Sequence, residues 1–176
     1  PIVEAEYGAL SVVQLYSLTA AVAVAYSLDV GIDDFAAAFS RIEPVSGRLR
    51  PLRGIHGSTI IDDTYNASPE AVRAALDALY RFDAPQRIAL LGSMNELGDY
   101  ALSAHEQVGK YCNPKYVGLV VTLGEDANLY LADGAQSVGC RVARANTPKQ
   151  AADIIKKVMQ PGAIVLAKGS QNGVYA

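Results

Sequence analysis

Apolar residues along this chain follow two rhythms, and the change between them falls near residue 46. Residues 7–28 hold no charged side chain, and the spacing predicts a helix over 11–28 that Gly31 breaks. Asp33 and Asp34 then open a second helix whose apolar stripe is Phe35, Ala38, Phe39 and Ile42. Pro44-Val45-Ser46-Gly47 marks a boundary. Beyond it, short apolar runs alternate with amphipathic segments. An edge strand is expected at 48–52, since Pro51 is tolerated at an edge but not centrally. A strand over 58–62 feeds a helix at 69–82, where Ser68 can cap the first turn and Pro69 suits the first helical position. Val72, Ala75, Leu76 and Leu79 form one face of that helix, with Glu70, Arg73, Asp77 and Arg81 pointing away. Strands follow at 87–91, 117–123, 140–143 and 163–167, separated by helices at 102–111, 125–137 and 148–159. The near-continuous apolar run at 117–123 fits a parallel strand covered on both faces. The expected fold class is α/β: a doubly wound, mostly parallel sheet over 47–176, preceded by a short helical segment over 1–46.

At 176 residues the chain suits one ordinary domain with an appendage. The uncharged stretch is long enough to span a bilayer. However, Gln14, Thr19 and several serines and tyrosines interrupt it, and much of the rest is weakly hydrophobic alanine. A buried or interfacial helix is therefore expected, not a membrane span. A net charge of −3 with scattered Lys and Arg excludes a nucleic-acid footprint. Cys112 and Cys140 show neither a disulfide framework nor metal-ligand spacing and read as reduced thiols. No signal peptide is recognised, so a cytoplasmic location is expected. Beginning at Pro1 and ending just after a strand-turn motif, the chain reads as part of something longer.

The chemistry gathers where strands end, because α/β proteins hold ligands at the carboxyl ends of their strands. Asp62 and Asp63 close the strand before Pro69. In extended chain their side chains point to opposite faces, so they cannot share one proton as a dyad. One then satisfies local backbone N–H groups and the other faces the crevice. A turn cap with no ligand is the alternative. Tyr65 and Asn66 occupy the turn itself. Arg48, after Gly47, is either solvated surface or a planar donor fork suited to phosphate. The loop from Gly92 to Gly98 follows a second strand, and His105 beyond it is expected to be a packed or capping histidine. Lys168-Gly169-Ser170 follows the last strand; glycine permits close backbone approach and lysine supplies a point charge. There is no phosphate-cradling Gly-rich loop with its lysine and no metal-ligand motif, so a self-sufficient catalyst is not expected.

Four segments in order carry a resemblance: Gly47-Arg48, the run Asp-Asp-Thr-Tyr-Asn-Ala-Ser-Pro-Glu-Ala-Val-Arg-Ala-Ala-Leu (62–76), Leu-Gly-Ser-Met-Asn-Glu-Leu-Gly (91–98) with His105 and Val108-Gly109, and Lys168-Gly169-Ser170. Together they resemble the C-terminal domain of the Mur ligases, most closely the members that add D-alanyl-D-alanine to UDP-muramoyl tripeptide. The resemblance implies a Rossmann-like domain of a monomeric, ATP-dependent amide ligase of peptidoglycan synthesis. ATP and Mg2+ would be bound mainly by a central domain, of which residues 1–46 resemble only the last helices. It assigns Arg48, Asp63 and Asn66 to the nucleotide, and Tyr65, Asn66, Lys168 and Ser170 to the substrates. The chain departs from the family pattern at Ser93, where Asp is usual, and at Gln171, where Arg is common. Val13 and Ser17 stand where relatives place a His and an Asn, the latter near adenine. A ligase for another amino acid or a folate-type substrate, and a binding domain with degraded nucleotide contacts, remain as alternatives.

Overall fold

A computed structural model describes residues 12–39, 41–43 and 45–170. The chain divides into two compact units, Pro1–Val45 and Ser46–Ala176.

In the first unit, α1 spans Val12–Ser27 and α2 spans Ile32–Phe39. The expected stop at Gly31 comes earlier. Asp29 takes the left-handed conformation (φ 57°), which a short polar side chain tolerates, and the N–H of Val30 closes back on the Ala25 carbonyl. Phe35 is buried and stacks on Phe39, with ring centroids 6.5 Å apart. Ile42 was expected on the same stripe, but it lies beyond the helix end and is exposed. Among the described residues, no helix is long and apolar enough to cross a membrane.

The second unit is a six-stranded sheet: β1 (Arg50–Arg53), β2 (Thr59–Asp63), β3 (Arg87–Gly92), β4 (Leu119–Leu123), β5 (Val142–Ala145) and β6 (Ile164–Lys168). The strand order is β1-β2-β6-β3-β4-β5, with β1 antiparallel to β2 and every other pairing parallel. Pro51 sits in the edge strand, where its missing N–H removes no central ladder bond. The strand begins at Arg50, not at 48, because Leu49 is left-handed (φ 54°) and turns the chain into the sheet. β5 starts later than expected, since the Cys140 N–H still bonds the Ala135 carbonyl and closes the preceding helix.

Handedness accounts for the layers. The connections β2-α3-β3, β3-α4-β4 and β4-α5-β5 all advance in one direction across the sheet, so right-handed crossovers place α3 (Pro69–Arg81), α4 (Ala101–Tyr111) and α5 (Ala132–Ser137) on one face. The return from β5 to β6 runs the opposite way and puts α6 (Pro148–Val158) on the other. Period-2 alternation then sorts the side chains. Ile61, Ala89, Leu91, Val120 and Leu166 are buried beneath α3, α4 and α5, and Ile88, Leu119, Val121 and Val165 pack with Ala151 and Ile155 of α6.

Two local devices set the helices. Ser68 Oγ accepts the Ala71 N–H and Pro69 occupies the first turn of α3; Thr147 and Pro148 repeat this at α6. Where α4 crosses the segment before and within α5, both helices carry glycine. A Cβ on Gly109 would stand 2.8 Å from the Ala135 nitrogen, and one on Gly134 would stand 3.1 Å from the Lys110 nitrogen. The predicted 125–137 helix contains a wide π-turn at Ala127–Leu131 before α5.

Candidate functional site

The insertion of β6 between β2 and β3 makes the site. Parallel strands end at the same sheet edge, so the chain after β6 is flanked by the turn after β2 and the loop after β3. β1 is antiparallel to β2, so the residues entering β1 (Gly47, Arg48 and Leu49) lie at that edge as well. Four sequence segments, spread from residue 47 to residue 170, therefore converge.

Asp62 and Asp63 face opposite sides of β2, as alternation requires. Asp62 accepts hydrogen bonds from the Gly47 N–H (3.0 Å), the Thr64 hydroxyl (2.7 Å) and the Thr64 N–H (3.3 Å). Asp63 accepts the Leu49 N–H through Oδ1 at 3.2 Å and pairs with Lys168 Nζ through Oδ2 at 2.6 Å. Both members of that pair are enclosed: the side-chain exposure is 3% for Lys168 and 11% for Asp63. Lys168 Nζ also donates to the Asn66 carbonyl at 3.0 Å. Each aspartate thus ties the strand end to the entry of β1. Gly47 is needed there: its φ is +73°, and a Cβ would lie 3.0 Å from both the Cβ and the nitrogen of Tyr65. Arg48 then lies over the Tyr65 ring, with its guanidinium carbon 4.1 Å from the centroid.

Ser170 joins the remaining loops. Its hydroxyl donates to Asn66 Oδ1 at 2.9 Å and accepts the N–H groups of Ala67 and Asn95, each at 3.2 Å. One donor and two acceptor sites are all that a hydroxyl offers, so this side chain is saturated within the protein. Asn66 Oδ1 accepts the Ala67 N–H as well, at 2.8 Å, so its two lone pairs are taken, and the residue is exposed. Behind the Gly92 loop, His105 is fully buried. Its Nε2 accepts the Met94 N–H (2.9 Å), and its Nδ1 lies 2.7 Å from the Ala101 carbonyl, which fixes the neutral tautomer with the proton on Nδ1. This is the packed histidine expected from its position. Ser93, at the position where Asp was expected, accepts the Ala127 N–H at 3.2 Å and anchors the segment leading into α5.

A cleft of about 660 Å³ opens on the α6 side of this edge, with Thr64, Ser93, Asn95, Glu125, Asn146 and Ser170 among its lining. Lys168 borders it, although its side chain turns to the opposite face, toward Asp63. Arg48, Asp63, Tyr65 and Asn66 are outside the lining. The predicted residues therefore form a linked cluster, Arg48–Tyr65 and Asp63–Lys168–Asn66–Ser170, that adjoins the cleft. Val13 and Ser17 lie on α1 in the first unit, and Gln171 lies outside the described residues. Leu49 and Asn95, whose backbone N–H groups hold Asp63 and Ser170, were missed because a backbone donor leaves no trace in residue type. One signal was available. The segments 92–93 and 169–170 are both Gly-Ser after an apolar run, and in the structure a Cβ on Gly92 would lie 3.0 Å from the Gly169 Cα. Among the described residues no three His, Cys, Asp or Glu side chains form a set that could hold a metal ion.

Burial shapes the thiols away from this edge. Cys112, at the end of α4, is pushed up to about 12 by loss of solvent, with the neighbouring Cys140 adding to the effect.

Fold and site together define a doubly wound α/β domain whose carboxyl edge is assembled from the loops after β2, β3 and β6. The family described as Mur ligase, glutamate ligase domain, matches residues 47–171. This chain belongs to the Mur ligase family. It is 36% identical over 108 residues to the UDP-N-acetylmuramoyl-tripeptide–D-alanyl-D-alanine ligase of Haemophilus influenzae, covering 61% of this chain and 23% of the relative. It is 29% identical over 178 residues to the enzyme of the same name from Mycobacterium bovis, covering 89% of this chain and 35% of the relative. The chain thus spans about a third or less of the length of these curated relatives. Among solved structures it resembles MurF ligase from Thermotoga maritima in complex with ADP, with a TM-score of 0.73, 28% identity, and coverage of 91% of this chain and 35% of that one. It also resembles MurF from Acinetobacter baumannii, with a TM-score of 0.76, 27% identity, and coverage of 87% and 34%.

Proposed function

We propose that this chain is the C-terminal domain, with the last helices of a central ATPase domain, of a cytoplasmic ligase that joins D-alanyl-D-alanine to UDP-N-acetylmuramoyl tripeptide in peptidoglycan synthesis. The observation that carries this is the convergence of the Gly47–Leu49 segment, the acidic turn, the Gly92 loop and the Lys168 loop at one sheet edge, in a chain whose relatives bear that name. The tripeptide carboxylate takes the γ-phosphoryl group of ATP, releasing ADP and forming an acyl phosphate; the dipeptide amine attacks the acyl carbon, loses a proton, and phosphate leaves. Catalysis of this kind rests on positioning and charge neutralisation. Arg48 supplies a fixed positive fork for phosphate oxygens, held over Tyr65 until a stronger acceptor arrives. Asp63 offers its unused lone pairs to nucleotide hydroxyls, and the side-chain amide of Asn66 donates where nucleotide and substrate meet. Tyr65 flanks that junction, and the cleft beside Ser170 receives the dipeptide. Mg2+, when bound, would neutralise phosphate charge, held mainly by residues of the central domain outside this chain.

The test uses the full-length protein as a monomer, with ADP release as the readout. Release that requires both UDP-muramoyl tripeptide and D-alanyl-D-alanine is expected. Turnover with a single amino acid in place of the dipeptide points to another ligase of the superfamily and rejects the dipeptide assignment.

A further inference from the structure

We infer that Lys168 is a positioning residue that acts through Asp63 on the nucleotide side of the edge, and that it does not grip the incoming substrate. This rests on the ligase reading above. Three observations carry it. Lys168 alternates with Ala167 along β6, so its side chain leaves the sheet on the face away from the cleft. Its ammonium is engaged twice, with Asp63 Oδ2 at 2.6 Å and the Asn66 carbonyl at 3.0 Å. Within the pair the lysine is 3% exposed and the aspartate 11%, so the carboxylate, not the ammonium, keeps a path to the edge.

The consequences follow from the bonding. A carboxylate carries about four acceptor sites. Lys168 and the Leu49 N–H occupy one on each oxygen of Asp63 and fix the plane of the group. The sites left over are aimed, not free to rotate. Through the same atom Lys168 holds the Asn66 carbonyl, so the turn and the carboxylate move as one piece with the entry to β1. A substrate carboxylate arriving at Lys168 would have to displace an enclosed ion pair, leaving Asp63 buried without its partner.

The experiment uses the full-length ligase with Lys168→Met, Lys168→Arg, and the double variant Asp63→Asn/Lys168→Met. The double variant separates folding from function, because neutralising both partners removes the unpaired buried charge. Expected results are a rise of about tenfold in KM for ATP in Lys168→Met, the worth of one charge-assisted hydrogen bond. KM for D-alanyl-D-alanine should stay within about twofold. Lys168→Arg should recover part of the ATP effect. The double variant should recover thermal stability but not KM for ATP. A rise in KM for the dipeptide with ATP unchanged overturns the inference, as does a Lys168→Met enzyme altered in neither constant. If the wild type ligates no dipeptide, the ligase reading fails separately. ADP affinity by calorimetry then decides the positioning role: weaker binding in Lys168→Met than in wild type supports it, and equal or absent binding overturns it.

Discussion

Gly109→Ala provides a test in which local and tertiary effects have opposite signs. Gly109 lies inside α4, and replacing a helix-interior glycine with alanine stabilises an exposed helix by about 1 kcal/mol. Packing opposes this. The new methyl would stand 2.8 Å from the Ala135 nitrogen and 3.0 Å from the Gly134 Cα, and closer still to the Leu131 carbonyl oxygen. All three are main-chain atoms, so no side chain can swing aside. Restoring an ordinary 3.4 Å separation from the Ala135 nitrogen requires a retreat of at least 0.6 Å (3.4 less 2.8), and the Leu131 carbonyl demands more. Ala104, Val108, Leu131, Ala132 and Ala135 are all at 0% exposure around that crossing, so the retreat loosens contacts that are now complete. Overpacking of this kind costs about 3 kcal/mol at the upper end of its usual range, leaving a net loss of about 2 kcal/mol. For a chain of this size that lowers Tm by about 4–8 °C. Calorimetry or urea denaturation of the 176-residue chain measures it. Gly118→Ala is the control, since its nearest neighbours stand at 3.6 Å and 3.7 Å, and should change stability by less than about 0.5 kcal/mol. A Gly109→Ala chain more stable than wild type would refute the close crossing of α4 and α5.

Ser170→Ala removes three hydrogen bonds at once, but Ala67 keeps Asn66 Oδ1 as acceptor and water reaches the edge, so a loss of about 1–2 kcal/mol in urea denaturation is expected; no loss would mean that Ser170 does not join the loops. His105→Ala orphans the buried Met94 N–H and opens a void, and should cost about 3 kcal/mol, with increased proteolysis confined to the 93–97 loop. Cys112 should resist alkylation in the folded chain at pH 8 and react on unfolding. Its folded value of about 12 lies above the unfolded 9.0, so the unfolded chain loses the proton first and stability should fall as pH rises from 9 to 12; Cys112→Ala should flatten that slope in pH-dependent denaturation.

Local structure was legible where a single residue type does a single job. Ser68 and Pro69 announce the start of α3, and the stripe from Val72 to Leu79 is its buried face. Period 2 also placed Asp62 and Asp63 on opposite faces. It could not say what each would meet, because a partner depends on strand order, and nothing in the run 163–167 reveals that this last strand slides between β2 and β3. Hydrophobic periodicity reports that a strand is buried, not beside which neighbour. The left-handed turn at Leu49 was hidden for a different reason: a leucine carries no sign of positive φ, and the Pro44–Gly47 run already marked the boundary. The resemblance assigned Lys168 to the substrates, and its charge and its place after a strand are compatible with that role. Yet a charge at a strand end is available only if its own face leaves it unpaired, and the β2–β6 register sets Lys168 directly opposite Asp63. The two residues are 105 positions apart in the chain and adjacent in the sheet. Register, more than residue type, decides which charges at this edge are spent on the fold and which remain for a ligand.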